Sequence, residues 1–176
     1  MIIKKINDWS KFLPFYFLSK FNKLFIYLSS IEDIILSKKI SEIKIKRIVV
    51  TGYPRSGTTF LTELINNDSE VGSFLYRDLP FVFNLYFWNK LSKFYYYGLK
   101  NTKRSHGDKI LINPNSPDSF EEILWSSFIK DYKKNGYKKI IDEQYYNKKL
   151  ENFININIKK LMLIRGNSKY YLSKGN

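Results

Sequence analysis

Residues 47–68 read RIVVTGYPRSGTTFLTELINND, and this stretch decides the fold. Arg47 to Thr51 is a short run rich in β-branched residues. Gly52-Tyr53-Pro54-Arg55-Ser56-Gly57 turns the chain, and Thr58 to Ile65 continues as a helix. Strand, glycine-bounded loop and helix in that order make a phosphate cradle, in which backbone N–H groups and a helix N-terminus face one anion. The nucleoside-triphosphate version of this loop carries Lys directly after its last Gly, where it reaches the β and γ phosphates. Thr58 stands at that position here. The loop has the layout of an anion site and lacks the residue that ATP or GTP hydrolysis requires.

The chain has 176 residues, a length that suits one domain with a usable core. It contains no cysteine, which excludes a disulfide framework and a thiolate metal site, and its single His excludes a His-rich zinc site. No run approaches the roughly 18 unbroken apolar residues of a membrane span. The N-terminal run FLPFYFL (12–18) is shorter, is soon followed by Lys20 and Lys23, and has no small-residue cleavage site after it. A cytoplasmic protein without a transmembrane segment is the expectation. The net charge of +14 points to anionic partners. Lys, Ile, Asn and Tyr are abundant together, however, and such a composition bias accounts for much of the charge by itself. Neither a zinc finger nor an aromatic RNA-binding strand is present, so nucleic acid is not an expected partner.

Outward from the loop, residues 9–37 carry two apolar sets at helical spacing: Phe12, Phe15 and Tyr16, then Leu24, Tyr27, Leu28, Ile31, Ile34 and Ile35. Pro14 divides them or begins a helix, and Glu32 and Asp33 favour a second helical start. Residues 1–45 read as a helical preface rather than a membrane-surface helix, because the pattern lacks a clean basic face. Residues 46–176 read as the main domain. Residues 45–51 are its first strand, with a continuously apolar Ile48-Val49-Val50 centre of the kind buried in parallel sheets. Thr58–Asn66 is the next helix. VGSFLYRDLPFVFNLYFW (71–88) is dense in aromatics, with a turn or helix start at Pro80. KRSHGDKILINPNSPDSF (103–120) is loop-like. Ser116-Pro117-Asp118-Ser119 then opens a helix, with Asp118, Glu121 and Glu122 in its first turns. A last helix fits Lys148 to Arg165, with Leu150, Ile154, Ile158, Leu161 and Met162 on one face and Gly166 as its C-terminal cap. KYYLSK (169–174) is a second short strand, expected to lie parallel beside the first with Lys174 pointing at the loop.

In the cradle, Gly52 and Gly57 permit a tight turn and a close approach to the anion. Ser56, Thr58 and Thr59 add hydroxyl donors, and Arg55 adds a planar, permanently charged fork. That set grips a phosphate without a metal.

YPRSGTT (53–59) resembles the 5′-phosphosulfate loop of sulfotransferases that use 3′-phosphoadenylyl sulfate. YRDLPF (76–81), RSHGDK (104–109), SPDSFEEILW (116–125) and YLSKGN (171–176) look like further blocks of a bacterial-type sulfotransferase, in that family's order. The resemblance covers about residue 46 to the last residue. It implies an α/β fold: a P-loop-like parallel sheet flanked by helices. It also implies transfer of a sulfuryl group to an acceptor hydroxyl, such as a carbohydrate's, without metal, because the leaving phosphate is weakly basic. By the same resemblance Arg55, Ser56, Gly57, Thr58 and Thr59 hold the donor's 5′-phosphate, and Lys174 stabilises charge on the bridging oxygen. Asp78 is the first candidate for the general base that the acceptor hydroxyl needs, and His106 is the second. Arg77 is placed to contact the acceptor or the transferring group. The family continues with a strand ending in Arg-Asp-Pro and a helical Ser, which together bind the 3′-phosphate. No Arg-Asp-Pro occurs in this chain. The expectation is therefore a fold incomplete at the C-terminus, a chain inactive alone, and a C-terminal complementing chain as partner. A non-catalytic anion-binding remnant and a kinase with a degenerate loop are the competing readings.

Overall fold

The computed structural model describes residues 21–53, 55–79, 81–95, 101–103, 111–128, 147–166 and 168–175. In chain order the elements are α1 (Asn22–Glu42), β1 (Lys46–Val50), α2 (Thr58–Asn66), β2 (Val71–Ser73), a 3-10 turn (Tyr76–Asp78), α3 (Leu85–Tyr95), β3 (Thr102–Lys103), β4 (Leu111–Ile112), α4 (Glu121–Phe128), α5 (Lys148–Ile164) and β5 (Tyr170–Lys174). The protein is α/β, with a small parallel sheet flanked by helices. The sheet order is β1-β5-β2, so the last strand lies between the first two. Its register pairs Lys46 with Tyr170 and Val50 with Lys174. β3 and β4 form a separate antiparallel pair.

β5 is the central strand, and Tyr171 and Leu172 on it are buried. Among the described residues β1 lies at an edge of the sheet, and Val49 is 62% exposed while Val50 is buried. The expectation of a strand buried throughout is corrected here. A continuous apolar run shows that both faces tolerate burial, but it cannot show whether a layer covers the second face. β2 was not legible as a strand, because Gly72 and Ser73 dilute a run of only three residues. α3 starts at Leu85, so of the turn or helix start expected at Pro80 the helix start does not hold. α4 starts at Glu121 rather than near Ser116, because the preceding backbone is tied to the end of β2: Pro117 forms a bridge with Leu75, and the Asp118 N–H donates to the Phe74 carbonyl at 3.2 Å.

The core lies between the sheet and α5, where Phe74, Phe83, Leu124, Leu161, Met162 and Tyr171 meet. α5 follows its sequence signals closely. The Asn147 side chain accepts from the Lys149 and Leu150 N–H groups, and Gly166 just past the helix end has φ +79°. Leu150, Ile158, Leu161 and Met162 are buried, and Ile154 is half-buried.

α1 departs most from expectation. The set Leu24, Tyr27, Leu28, Ile31, Ile34 and Ile35 is helical, as its spacing predicts, but all of it faces outward. The inner face is Phe25, Ile26, Leu36 and Ile40, packed toward the core and α5. Glu32 does not start a helix. It is fully buried in the middle of α1, paired with the equally buried Lys160 of α5. The set Phe12, Phe15 and Tyr16 lies outside the described residues.

Candidate anion site

The carboxyl ends of parallel strands are where an open α/β sheet binds ligands, and the cradle lies there. After β1 the chain turns through residues 51–57. Ser56 N–H donates to the Tyr53 carbonyl at 3.1 Å. Two residues of the turn adopt left-handed backbone: Arg55 with φ +69° and Gly57 with φ +85°. Gly57 is the N-cap of α2 and places no side chain on the helix's first N–H groups. A helix start without a side-chain cap leaves orphan donors and a positive dipole end for an anion. Gly52 is fixed by contact: a Cβ there would stand 2.7 Å from Ser56 Oγ and 3.1 Å from Thr58 Cγ2. At Gly57 a Cβ would meet nothing within 4 Å, so the space above the loop is open. Gly57→Ala is thus a purely conformational change. It is expected to lower stability by about 1–2 kcal/mol, the cost of a left-handed L-residue, in a urea unfolding titration.

β5 brings a cation to the start of α2. Its last residue, Lys174, sits in register with Val50, and the next N–H, of Gly175, still donates to the Val50 carbonyl at 2.9 Å. The strand end is therefore clamped beside the start of the cradle. From there Lys174 Nζ donates to Thr59 Oγ1 at 3.1 Å and to Asp118 Oδ1 at 3.1 Å. The Lys174 and Asp118 side chains are only 5% and 11% exposed. Asp118 also accepts from the Tyr76 hydroxyl at 2.8 Å and from the Ser119 N–H at 2.9 Å. These contacts fix the carboxylate, and the carboxylate fixes the ammonium over the first turn of α2. Asp118 is the residue that sequence reasoning missed. Its Ser-Pro-Asp context reads as a helix start, and only the bridge to Leu75 turns it toward Lys174.

Asp78 is placed differently. Its Oδ2 accepts from the Leu75 N–H at 2.7 Å and pairs with Arg165 Nη2 at 2.5 Å, with the carboxylate 3% exposed. Arg165 Nε also donates to the Ser73 carbonyl at 3.3 Å. This pair ties the 3-10 turn to the end of α5. The carboxylate facing Lys174 is instead Asp118. Arg77 is half-buried, and its backbone carbonyl accepts from Trp88 Nε1 at 2.8 Å. Burial, and then the charge of Arg165, hold the Arg77 guanidinium below the usual arginine range. His106 lies outside the described residues. Glu121 opens α4 as its position suggests and accepts from the Tyr171 hydroxyl. Burial, reinforced by Glu121, pushes Tyr171 well above the ordinary tyrosine value, so it stays a neutral donor.

Loop, helix start and Lys174 thus converge on one place suited to a phosphate or sulfate group. Among the described residues no three His, Cys, Asp or Glu side chains come together as a metal centre would need. Comparison of the chain with family models, with curated proteins and with solved structures finds no match.

Proposed function

We propose that this site binds the 5′-phosphosulfate end of 3′-phosphoadenylyl sulfate and belongs to a sulfotransferase acting on an acceptor hydroxyl. The observation that carries the reading is the position of Lys174. A cation held 3.1 Å from Thr59 Oγ1, and delivered by the strand beside β1, serves the cradle without occupying the loop. In sulfuryl transfer the bond between sulfur and the bridging oxygen breaks as the acceptor oxygen bonds to sulfur, and adenosine 3′,5′-bisphosphate leaves. Charge builds on the bridging oxygen, where a preorganised ammonium stabilises it. Backbone N–H groups at Gly57, Thr58 and Thr59 and the Arg55 guanidinium would hold the phosphate. Asp118 orients Lys174. Asp78 is engaged by Arg165, and His106, which lies outside the described residues, is the second candidate for removing the hydroxyl proton. A cytoplasmic setting belongs to the same proposal. Among the described residues no helix is long and apolar enough to cross a membrane.

Calorimetry with adenosine 3′,5′-bisphosphate and with ATP, each with and without magnesium, tests the reading. The bisphosphate is expected to bind, and magnesium is expected to change nothing. Magnesium-dependent ATP binding without bisphosphate binding would replace this reading with a kinase-type one. Failure of both nucleotides to bind would remove the nucleotide altogether.

A further inference from the structure

α1 is apolar on two opposite faces, and among the described residues only one of them is packed. Leu24, Tyr27, Leu28, Ile31, Ile34 and Ile35 are spaced by three, four and seven, so they form one stripe along the helix. Their exposures run from 38% at Leu28 and Ile31 to 75% at Ile34. A helix apolar all round is normally covered on every side, and an exposed apolar stripe rimmed by polar residues marks an interaction surface.

The charges say what kind of surface it meets. Both acids in the middle of α1 are turned inward: Glu32 is fully buried, and Asp33 pairs with Lys160 at 2.8 Å. The charged residues left exposed on α1 are Lys23, Lys38 and Lys39, against Glu42 alone. Lys44, Lys46 and Arg47, just after the helix, are exposed as well. In sequence, residues 1–20 ahead of α1 continue the theme, with Lys4, Lys5, Lys11 and Lys20 against the single acid Asp8, and with Trp9 and Phe12 among their aromatics. An apolar stripe with lysines at both ends and its acids withdrawn is complementary to an anionic lipid surface, where aliphatic side chains enter the acyl boundary and ammonium groups meet the headgroups. Two copies packed through this stripe would instead bring together two chains of net charge +14.

Against the expectation of a helical preface without a membrane role, we propose that the outward face of α1 seats on an anionic phospholipid bilayer, with the helix lying in the membrane plane. The stripe sits opposite the face that packs on the core, so docking requires no change in the fold.

The test is co-sedimentation of the full chain with phosphatidylserine–phosphatidylcholine vesicles and with phosphatidylcholine vesicles alone. The chain lacks cysteine, so an Ile34→Cys variant carries a single environment-sensitive fluorophore. Binding to the anionic vesicles is expected, with a blue shift of that fluorophore and binding to neutral vesicles at least tenfold weaker. The paired substitution Ile34→Gln and Ile35→Gln keeps the charge and the helix propensity. It is expected to weaken vesicle binding at least tenfold while the thermal melt stays unchanged. Absence of vesicle binding would overturn the proposal, as would binding indifferent to the glutamines, which would be the net charge acting alone. A lipid-free dimer in sedimentation velocity that the glutamines abolish would assign the stripe to a second copy. A fluorophore already blue-shifted without lipid would show that residues 1–20 cover it.

Discussion

Replacing Lys160 by Met is expected to cost about 3–5 kcal/mol of stability, the usual penalty for removing one partner of a buried ion pair. Lys160 is fully buried in α5. Its Nζ donates to Ser29 Oγ at 2.7 Å and pairs with Glu32 Oε2 at 3.2 Å and Asp33 Oδ1 at 2.8 Å. Glu32 in turn accepts the Phe87 N–H at 2.9 Å, in the first turn of α3. The Lys160–Glu32 pair therefore joins three helices, and loss of the lysine leaves a buried carboxylate without a counter-charge. Burial already raises the Glu32 pKa above its ordinary value, against the pull of Lys160. Without the lysine the value rises further. The sign follows from proton binding: the folded form then holds a proton on Glu32 where the unfolded form has lost it, so stability falls as pH rises from about 4.5 toward the folded value. The deficit of Lys160→Met should be larger near pH 8 than near pH 5, and Glu32→Leu in the same chain should restore most of it. Urea unfolding at the two pH values checks this. A loss below about 1 kcal/mol, or one independent of pH, would show that the cluster is not electrostatically coupled to folding.

The largest expected effect on binding is at Lys174. Truncation to Ala removes a charge-assisted contact of roughly 1.5–3 kcal/mol, which weakens adenosine 3′,5′-bisphosphate by about tenfold to a hundredfold. Where sulfuryl transfer can be followed, the loss in rate should be larger, about a hundredfold to a thousandfold, because the ammonium meets more charge in the transition state than in the bound donor. Lys169→Ala is the matched control, one residue before the same strand. Lys169 is exposed and pairs with Glu70 at the surface, and such pairs contribute little. Equal effects at the two positions in a calorimetric titration would mean that net charge, not the site, attracts the nucleotide.

The parts of this arrangement that were legible in the sequence are those with local rules. Gly52 and Gly57 bracket a turn that needs close approach and left-handed backbone, so the loop and the start of α2 could be read directly. Asn147, Gly166 and the spacing of Leu150, Ile158 and Leu161 define α5 in the same way. The short strand ending at Lys174 was legible too, together with its parallel pairing to β1. What failed depended on partners far along the chain. α1 carries apolar residues on two opposite faces, so periodicity found a stripe but could not say which side the core takes. Lys160, distant in sequence, decides that by drawing Glu32 inward. Likewise, two carboxylates, Asp78 and Asp118, were available to the site. Arg165 claims the first and Lys174 the second, and neither pairing leaves a local signature. The Val49 exposure has the same origin, because an edge strand and a central strand can share one composition.

A crystal structure with adenosine 3′,5′-bisphosphate tests the central claim most directly. The 5′-phosphate is expected over Gly57, accepting from the Thr58 and Thr59 N–H groups, with Lys174 Nζ within about 2.7–2.9 Å of a phosphate oxygen. A nucleotide bound elsewhere, or a phosphate in the loop with Lys174 still directed only at Asp118 and Thr59, would contradict it.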